Sequence, residues 1–399
     1  MRPEELDFIL SPAGRALIDD VTAESLSPAT HLATASRLRA RLAPPLAAAV
    51  LEMALLRQRA AQKFSRASQM FFTRDGLEQA TAEPVAAHRA RRYAGAGFGR
   101  VADMGCGIGG DALALAAAGA NVILIDRDWT SVVMARENTA VYGGAGQVSP
   151  VVADLTELPP LKAVEAFFFD PARRAETGPR LAPGRRLRSV DDYRPPLSLI
   201  DAWRPVIPHG AVKVSPGIDY DQIPPDTEVE FVSLAGEVKE AILWYGDLRM
   251  NVTRRATLLP GKMSLTDRDD ETTEVGPPRA YLYEPDGAII RAHLVGQVAH
   301  RIEATLIDPA IAYLTTAAPV ATPFARGYVI EDHFPFQLKR LRTYLRERDV
   351  GTVTIKKRGS PLDPDVLRQA LRLRGSIHRI IFLTQVAGRP TVLVGQALA

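Results

Sequence analysis

The sequence predicts an α/β protein in which a doubly wound, mostly parallel sheet is preceded by helices and followed by smaller α+β units. Three observations predict it. Residues 101–126 run as a short apolar strand (Val101–Met104), a glycine turn (Gly105 to Gly110), a helical stretch (Asp111 to about Ala118) and a strand (Asn121–Ile125) ending on Asp126. Strand, glycine turn, helix, strand, acid is the start of a nucleotide-binding α/β domain. The alternation then continues. A helix over Thr130–Tyr142 is closed by Gly143-Gly144, and strands follow at Val148–Val152, Ala166–Phe169 and Ala211–Val214, with a helix at Leu197–Trp203 before the last. Finally, 399 residues at 46% apolar content can fill the cores of two or three domains.

Glycines in the turn let the backbone approach a ligand where a Cβ would collide. Gly105, Gly107 and Gly110 satisfy GxGxxG, so on spacing alone a dinucleotide is open, as is a purely structural turn. Asp103 points elsewhere. An acid two residues before the first glycine would repel a pyrophosphate and suits an ammonium group. Asp126 stands where a carboxylate can accept hydrogen bonds from two ribose hydroxyls. The run Asp103-x-Gly105-x-Gly107-x-Gly109, with Asp126 ending the next strand, resembles motif I and its acidic partner in class I S-adenosylmethionine methyltransferases. The resemblance implies a Rossmann-like sheet and S-adenosylmethionine as cofactor. It places Asp103, Gly105, Cys106, Gly107, Gly109, Asp126 and Arg127 around that cofactor.

Composition excludes several classes. No apolar run reaches the ~18 residues of a membrane span, and MRPEELDFIL has no signal-peptide core. Cys106 is the single cysteine, so no internal disulfide forms; a small packing residue is expected there rather than a nucleophile. The seven histidines are scattered, and no metal is expected. A cytoplasmic protein follows as the default. Net charge is only +3, but Phe334 to Ile381 carries twelve Lys/Arg against four acids, which leaves −5 elsewhere. Such asymmetry suits a polyanion partner. A solvated helix face is the alternative.

Residues 1–75 read as a helical segment, with Ser36–Leu42 and Leu46–Ala60 at helical spacing around Pro44-Pro45. Asp75-Gly76 marks a turn, and Thr81 is a plausible N-cap for a helix containing Pro84 and ending near Tyr93. The stretch before the first strand resembles the corresponding segment of trimethylguanosine synthase-like RNA methyltransferases. There a Thr-Pro-Glu-type turn approaches the methionine carboxylate, which implies a binding role for Thr81; here Glu78-Gln79-Ala80-Thr81 replaces it and Pro84 comes later.

Two further acids close strands. Asp154, after the third, is placed to accept from an adenine amine or to cap the next turn. Asp170-Pro171 ends the fourth. In amino-methyltransferases this place holds an acid or amide, one or two prolines and often an aromatic, and the acid or its backbone carbonyl holds the target amine against the methyl donor. The resemblance therefore implies catalytic roles for Asp170 and Pro171, although Ala172-Arg173 departs from the Pro-Pro-aromatic form. Arg173, Arg174 and four more arginines up to Arg188 make a basic loop suited to phosphate contacts, or simply a solvated one.

Glu228–Leu234 and Lys239–Tyr245 read as a hairpin that ends the methyltransferase domain (residues 76–246). Residues 247–275 are weakly patterned and open a small α+β insert (247–325) with a strand, a helix from near Asp286 and a short strand. The last unit, 326–399, reads as helix Gln337–Arg348, strand Thr352–Lys356, helix Asp363–Leu373 and strands His378–Leu383 and Thr391–Gly395. Its Leu338-Lys339-Arg340-Leu341, Ile355-Lys356-Lys357-Arg358-Gly359 and Asp363-Pro364-Asp365 resemble the THUMP-like domain that follows bacterial S-adenosylmethionine methyltransferase domains. Tyr283-Glu284-Pro285 resembles the ferredoxin-like insert before it. Together these imply a methyltransferase with RNA as partner, a base nitrogen as acceptor, and Lys356, Lys357 and Arg358 as phosphate contacts. A protein or small-molecule methyltransferase, and an RNA-associated protein that binds S-adenosylmethionine without catalysis, are the alternatives.

Overall fold

The computed structural model describes residues 1–24, 27–157, 162, 164–172, 193–268 and 272–398. The chain divides into two compact units, residues 1–228 with 240–250, and residues 229–239 with 251–399.

The first unit opens with four helices, α1 (Pro3–Leu10), α2 (Pro12–Ala23), α3 (Pro28–Arg39) and α4 (Pro44–Ala60). Each begins on a proline, whose missing N–H is no loss in a first turn. Ser11 and Ser27 cap α2 and α3 through the amides of Gly14 and Thr30. The short helix α5 (Arg74–Gln79) and then α6 (Glu83–Gly95) lead into the sheet. The expected cap at Thr81 is corrected. Ala82 is the N-cap of α6 and makes no side-chain cap bond, and Pro84 lies in the first turn.

The sheet follows the expected winding. It contains β1 (Arg100–Met104), β2 (Asn121–Asp126), β3 (Val148–Val152), β4 (Ala166–Phe169) and β5 (His209–Val214). Their order, β3-β2-β1-β4-β5, is parallel throughout. Between them run α7 (Ala112–Ala117), α8 (Trp129–Val141) and α9 (Leu199–Trp203). The winding reverses between β1 and β4, which opens a crevice at the carboxyl ends of the strands. Phe167, Phe168 and Phe169 are fully buried, as a strand covered on both faces requires. Val50, Met53 and Leu56 of α4 share one core with Val101 and Val122, so the N-terminal helices complete the sheet's packing.

Two strands cross the division between the units, β6 (Glu228–Leu234) and β7 (Glu237–Tyr245). In the first unit, Ala241–Tyr245 of β7 pairs antiparallel with β5. In the second, Val229–Leu234 of β6 pairs with β8 (Arg254–Leu259), and β9 (Met263–Thr266) pairs with β8. These two strands lie in the stretch expected to be weakly patterned. They are short, and β8 begins with two arginines, so neither carries a clean period of two.

The rest of the second unit is built on β10 (Tyr281–Pro285), α10 (Gly287–Arg291), α11 (Val295–Arg301), β11 (Thr305–Asp308), β12 (Ile311–Thr316) and β13 (Ala325–Pro335). There follow α12 (Leu338–Glu347), β14 (Val350–Lys357), α13 (Pro364–Leu371), β15 (Ile377–Val386) and β16 (Arg389–Ala397). One seven-stranded sheet joins them in the order β11-β12-β10-β13-β16-β15-β14. Alternation along β15 decides the packing. Ile381 and Leu383 meet Leu341, Leu345, Leu367 and Leu371 of the two helices, while Ile380 and Phe382 meet Tyr313 and Tyr328. Because β10 pairs with β13, the sheet runs through the boundary expected at 325/326.

Candidate active site

Register places the site at the carboxyl ends of four strands. Met104 pairs with Ile125 and with Phe169, and Phe169 pairs with Val212. The next residue of each strand is therefore level with the others: Gly105, Asp126, Asp170 and Lys213. Backbone pairing alone brings these four together from positions 108 residues apart.

The glycine turn is closed on itself. The amides of Gly105 and Cys106 both donate to Ile125 O (2.8 and 3.0 Å), and that of Gly109 to Cys106 O (2.8 Å). The Gly107 amide donates to Asp126 Oδ2 at 3.0 Å, and Asp128 N to Asp126 Oδ1 at 2.9 Å. Few amides are left to cradle phosphate, which weakens the dinucleotide option that spacing left open. Gly107, at φ +51°, has no atom of the described residues within 4 Å of where a Cβ would sit. Gly109, at φ +82°, lies against Ala135 of α8, with a Cβ position 2.9 Å from its Cα. The Cys106 side chain packs into the core, and burial pushes its thiol well up, so it is a packing residue.

Beside the turn lies a buried cluster of charges. Arg89 and Arg92 stand three apart on α6 and so share a face. Arg89 bonds Asp111 and, at 2.6 Å, Glu240; its guanidinium lies 4.2 Å above the Phe168 ring. Burial works against the Arg89 charge, but Asp111 and Glu240 outweigh it and raise its pKa. Arg92 pairs with the fully buried Glu228.

Asp103, next to last in β1, is 1% exposed, and among the described residues its Oδ2 has no hydrogen-bond partner. Burial, followed by the negative fields of Asp111 and Asp170, holds its carboxyl well above the usual range. Two cations, Arg89 and Lys213, thus face four acids, Asp103, Asp111, Asp170 and Glu240. A buried acidic excess with an orphaned oxygen is unfavourable until a cation arrives. The residues present fit a ligand that brings an ammonium and a sulfonium.

Lys213 went unremarked in the sequence. Its one signal is a charge inside the apolar run Gly210-Ala211-Val212-Lys213-Val214. Its Nζ donates to Asp170 Oδ2 at 2.7 Å and to Thr81 Oγ1 at 3.2 Å. Thr81, buried, is therefore drawn into the site by its hydroxyl. Lys63 supports that turn by donating to the carbonyls of Leu77, Glu78 and Ala80 at 2.7–3.0 Å.

The remaining expected residues divide. Asp154 accepts from Thr156 N at 2.8 Å and Thr156 Oγ1 at 2.7 Å, so it caps the turn after β3. That turn is close to Asp126, since Ala153 N donates to Asp126 O. Arg127 is exposed and Pro171 is buried. Arg173 and Arg174, with the arginine loop, lie outside the described residues. In the second unit the three consecutive cations are not equivalent. Lys356 and Arg358 reach Glu284 at 2.5 and 3.5 Å, and of the three only Lys357 is exposed. Two of the three expected phosphate contacts therefore pair with an acid of their own unit. Among the described residues no group of His, Cys, Asp and Glu could hold a metal, and no helix is long and apolar enough to cross a membrane.

Comparison with known proteins identifies the family. Residues 101–170 match the family model of a methyltransferase domain, residues 325–397 that of a THUMP domain-like family, and residues 2–60 that of a domain of unknown function. Proteins from two strains of Mycobacterium tuberculosis, each described as an uncharacterized S-adenosylmethionine-dependent methyltransferase, are 36% identical over 353 residues, 84% of this chain and 92% of theirs. A crystal structure from Porphyromonas gingivalis W83, described as that of a candidate methyltransferase, covers 100% of both chains with a TM-score of 0.79 at 22% identity, which shows a shared fold. With a relative this similar over this much of its length, the chain belongs to the class I S-adenosylmethionine-dependent methyltransferases that carry a C-terminal THUMP-like domain.

Proposed function

We propose that the enzyme methylates a nitrogen of an RNA base. The observation that carries this reading is Asp170-Pro171 at the carboxyl end of β4, level with the glycine turn and held by a buried lysine. The THUMP-like match and the local excess of cations support RNA as the bearer of that nitrogen.

The division of labour follows from the side chains. Asp103 Oδ2 takes the cofactor's ammonium, and Asp126 its ribose hydroxyls. The Thr81 hydroxyl accepts from Lys213, and its own proton remains to donate to a carboxylate. Asp154 would stand toward the adenine, and the glycine turn, Gly105 to Gly109, and Arg127 would border the cofactor. When bound, S-adenosylmethionine supplies a methyl group on a cationic sulfur. Asp170 accepts the acceptor's N–H as a hydrogen bond and so aims the nitrogen lone pair. One N–H proton leaves for each methyl gained, and the carboxylate is placed to receive it. Pro171 keeps the loop in one shape, so much of the catalysis is positioning. Arg173, Arg174 and the exposed Lys357 are assigned to phosphates.

Labelled methyl transfer from S-adenosylmethionine to total RNA of a strain lacking the gene tests the reading, with nucleoside analysis to identify the base. Label in a methylated base nucleoside is expected. Label in protein only, or none in RNA, overturns it.

A further inference from the structure

A lysine at the carboxyl end of a buried strand needs a reason. The Lys213 side chain is 10% exposed between the fully buried Val212 and Val214. An ammonium has three protons and no acceptor capacity, so it takes both Asp170 and Thr81 as acceptors. These partners come from separate segments. Asp170 ends β4, and Thr81 lies between α5 and α6. The bond to Asp170 engages Oδ2 (2.7 Å), and among the described residues Oδ1 makes no hydrogen bond. Asp170 is itself 24% exposed and stands near Asp103, Asp111 and other acids. Without the lysine, like charges would turn its carboxylate toward solvent.

We propose that Lys213 is the positioning residue of methyl transfer: it pins one oxygen of Asp170 so that the other faces the acceptor amine, and ties that loop to the Thr81 turn. The proposal rests on the reading of Asp170 as the acceptor's partner. Its physical basis is the steepness of positional catalysis, in which a displacement near 1 Å reduces rate by about 100-fold. The lysine touches neither the methyl donor nor the amine, and its effect passes through Asp170.

The test is steady-state methylation of total RNA from the deletion strain by wild type, K213M, K213R, D170N and D170N/K213M. Calorimetry with S-adenosylmethionine and a thermal melt accompany each variant. In K213M, kcat should fall on the order of 100-fold, while RNA KM and cofactor affinity change less than about threefold. K213R, which restores a cationic donor, should recover at least about tenfold. The double variant should be no slower than D170N, because the lysine has nothing left to position. If K213M does not melt cooperatively, K213Q carries the same expectations. Wild-type kcat in K213M beside a slow D170N overturns the role of Lys213 alone. So does a double variant whose losses multiply. Full activity of D170N, or no transfer to RNA by wild type, overturns the reading of the acceptor site on which the proposal rests.

Discussion

Asn138 on α8 and Phe71, in the segment before the first strand, exchange two hydrogen bonds. Phe71 N–H donates to Asn138 Oδ1 at 2.7 Å, and Asn138 Nδ2 donates back to Phe71 O at 2.9 Å. The same amide donates to Ile108 O in the glycine turn at 2.9 Å. A fully buried side chain thus acts as a strand partner and fixes the turn to the N-terminal segment. N138A strands three buried backbone groups and is expected to lower unfolding free energy by about 2–5 kcal/mol. Urea denaturation measures it, and a change within 0.5 kcal/mol, the usual range for surface sites, would contradict the account.

Asp103, proposed to hold the cofactor's ammonium, carries its charge at a cost in the folded protein. Its carboxyl titrates higher in the folded protein than the ordinary 3.8, because burial disfavours the charge. The sign follows. The folded state binds the proton more tightly, so stability is lost as pH rises through the unfolded value toward the folded one, and stays lost above it. D103N removes that penalty. The cofactor-free variant should melt no lower than wild type at pH 7, yet lose a charge-assisted contact of about 1.5–3 kcal/mol in S-adenosylmethionine binding. Paired melts and calorimetry check this. A destabilised D103N with intact affinity would reverse the assignment.

Asp170→Ala should lower turnover with little change in S-adenosylmethionine affinity. A loss confined to the chemical step marks a contact that matters mainly in the transition state. Full activity in the variant would reduce Asp170 to a turn residue.

Glu284 pairs with two of the three consecutive cations and leaves Lys357 exposed. Burial pushes its carboxyl up, but Lys356, the Tyr328 hydroxyl (3.0 Å) and Arg358 outweigh burial and hold it below 4.5. This stabilisation is present above the unfolded value and lost as pH falls through the folded one. The stability difference between wild type and E284Q should therefore be present at pH 7 and shrink as pH falls below 4.5. K356A/R358A should destabilise the protein. K339A/K357A, at two exposed positions, should leave the melt unchanged, raise the RNA KM and flatten the salt dependence of RNA binding by about 0.7 per lost contact. Fluorescence anisotropy across a salt series gives the slope, and an unchanged slope would leave those lysines a solvated face.

The sequence by itself determined the winding of the first unit, the cofactor and the end of each core strand. These depend on short-range signals: glycines needed at positive φ, apolar runs of strand length, and acids just before or after a turn. Asp103, Asp126 and Asp170 were legible because each stands at a fixed offset from such a signal. Helices α12 and α13 and strands β14, β15 and β16 were legible through their periods of 3.6 and 2, but β13 (Ala325–Pro335), which joins β16 to β10, was not. Tertiary structure decided which charges meet. Thr81 reads as a helix cap locally, but Lys213, 132 residues away, claims its hydroxyl. Lys356 and Arg358 read as surface cations until β10 brings Glu284, 72 residues upstream of Lys356, against them. Arg89 reads as one of several helix arginines until β7 supplies Glu240 from 151 residues on. Strand pairing sets each of these distances, and a buried charge acquires its partner only when the sheet is assembled.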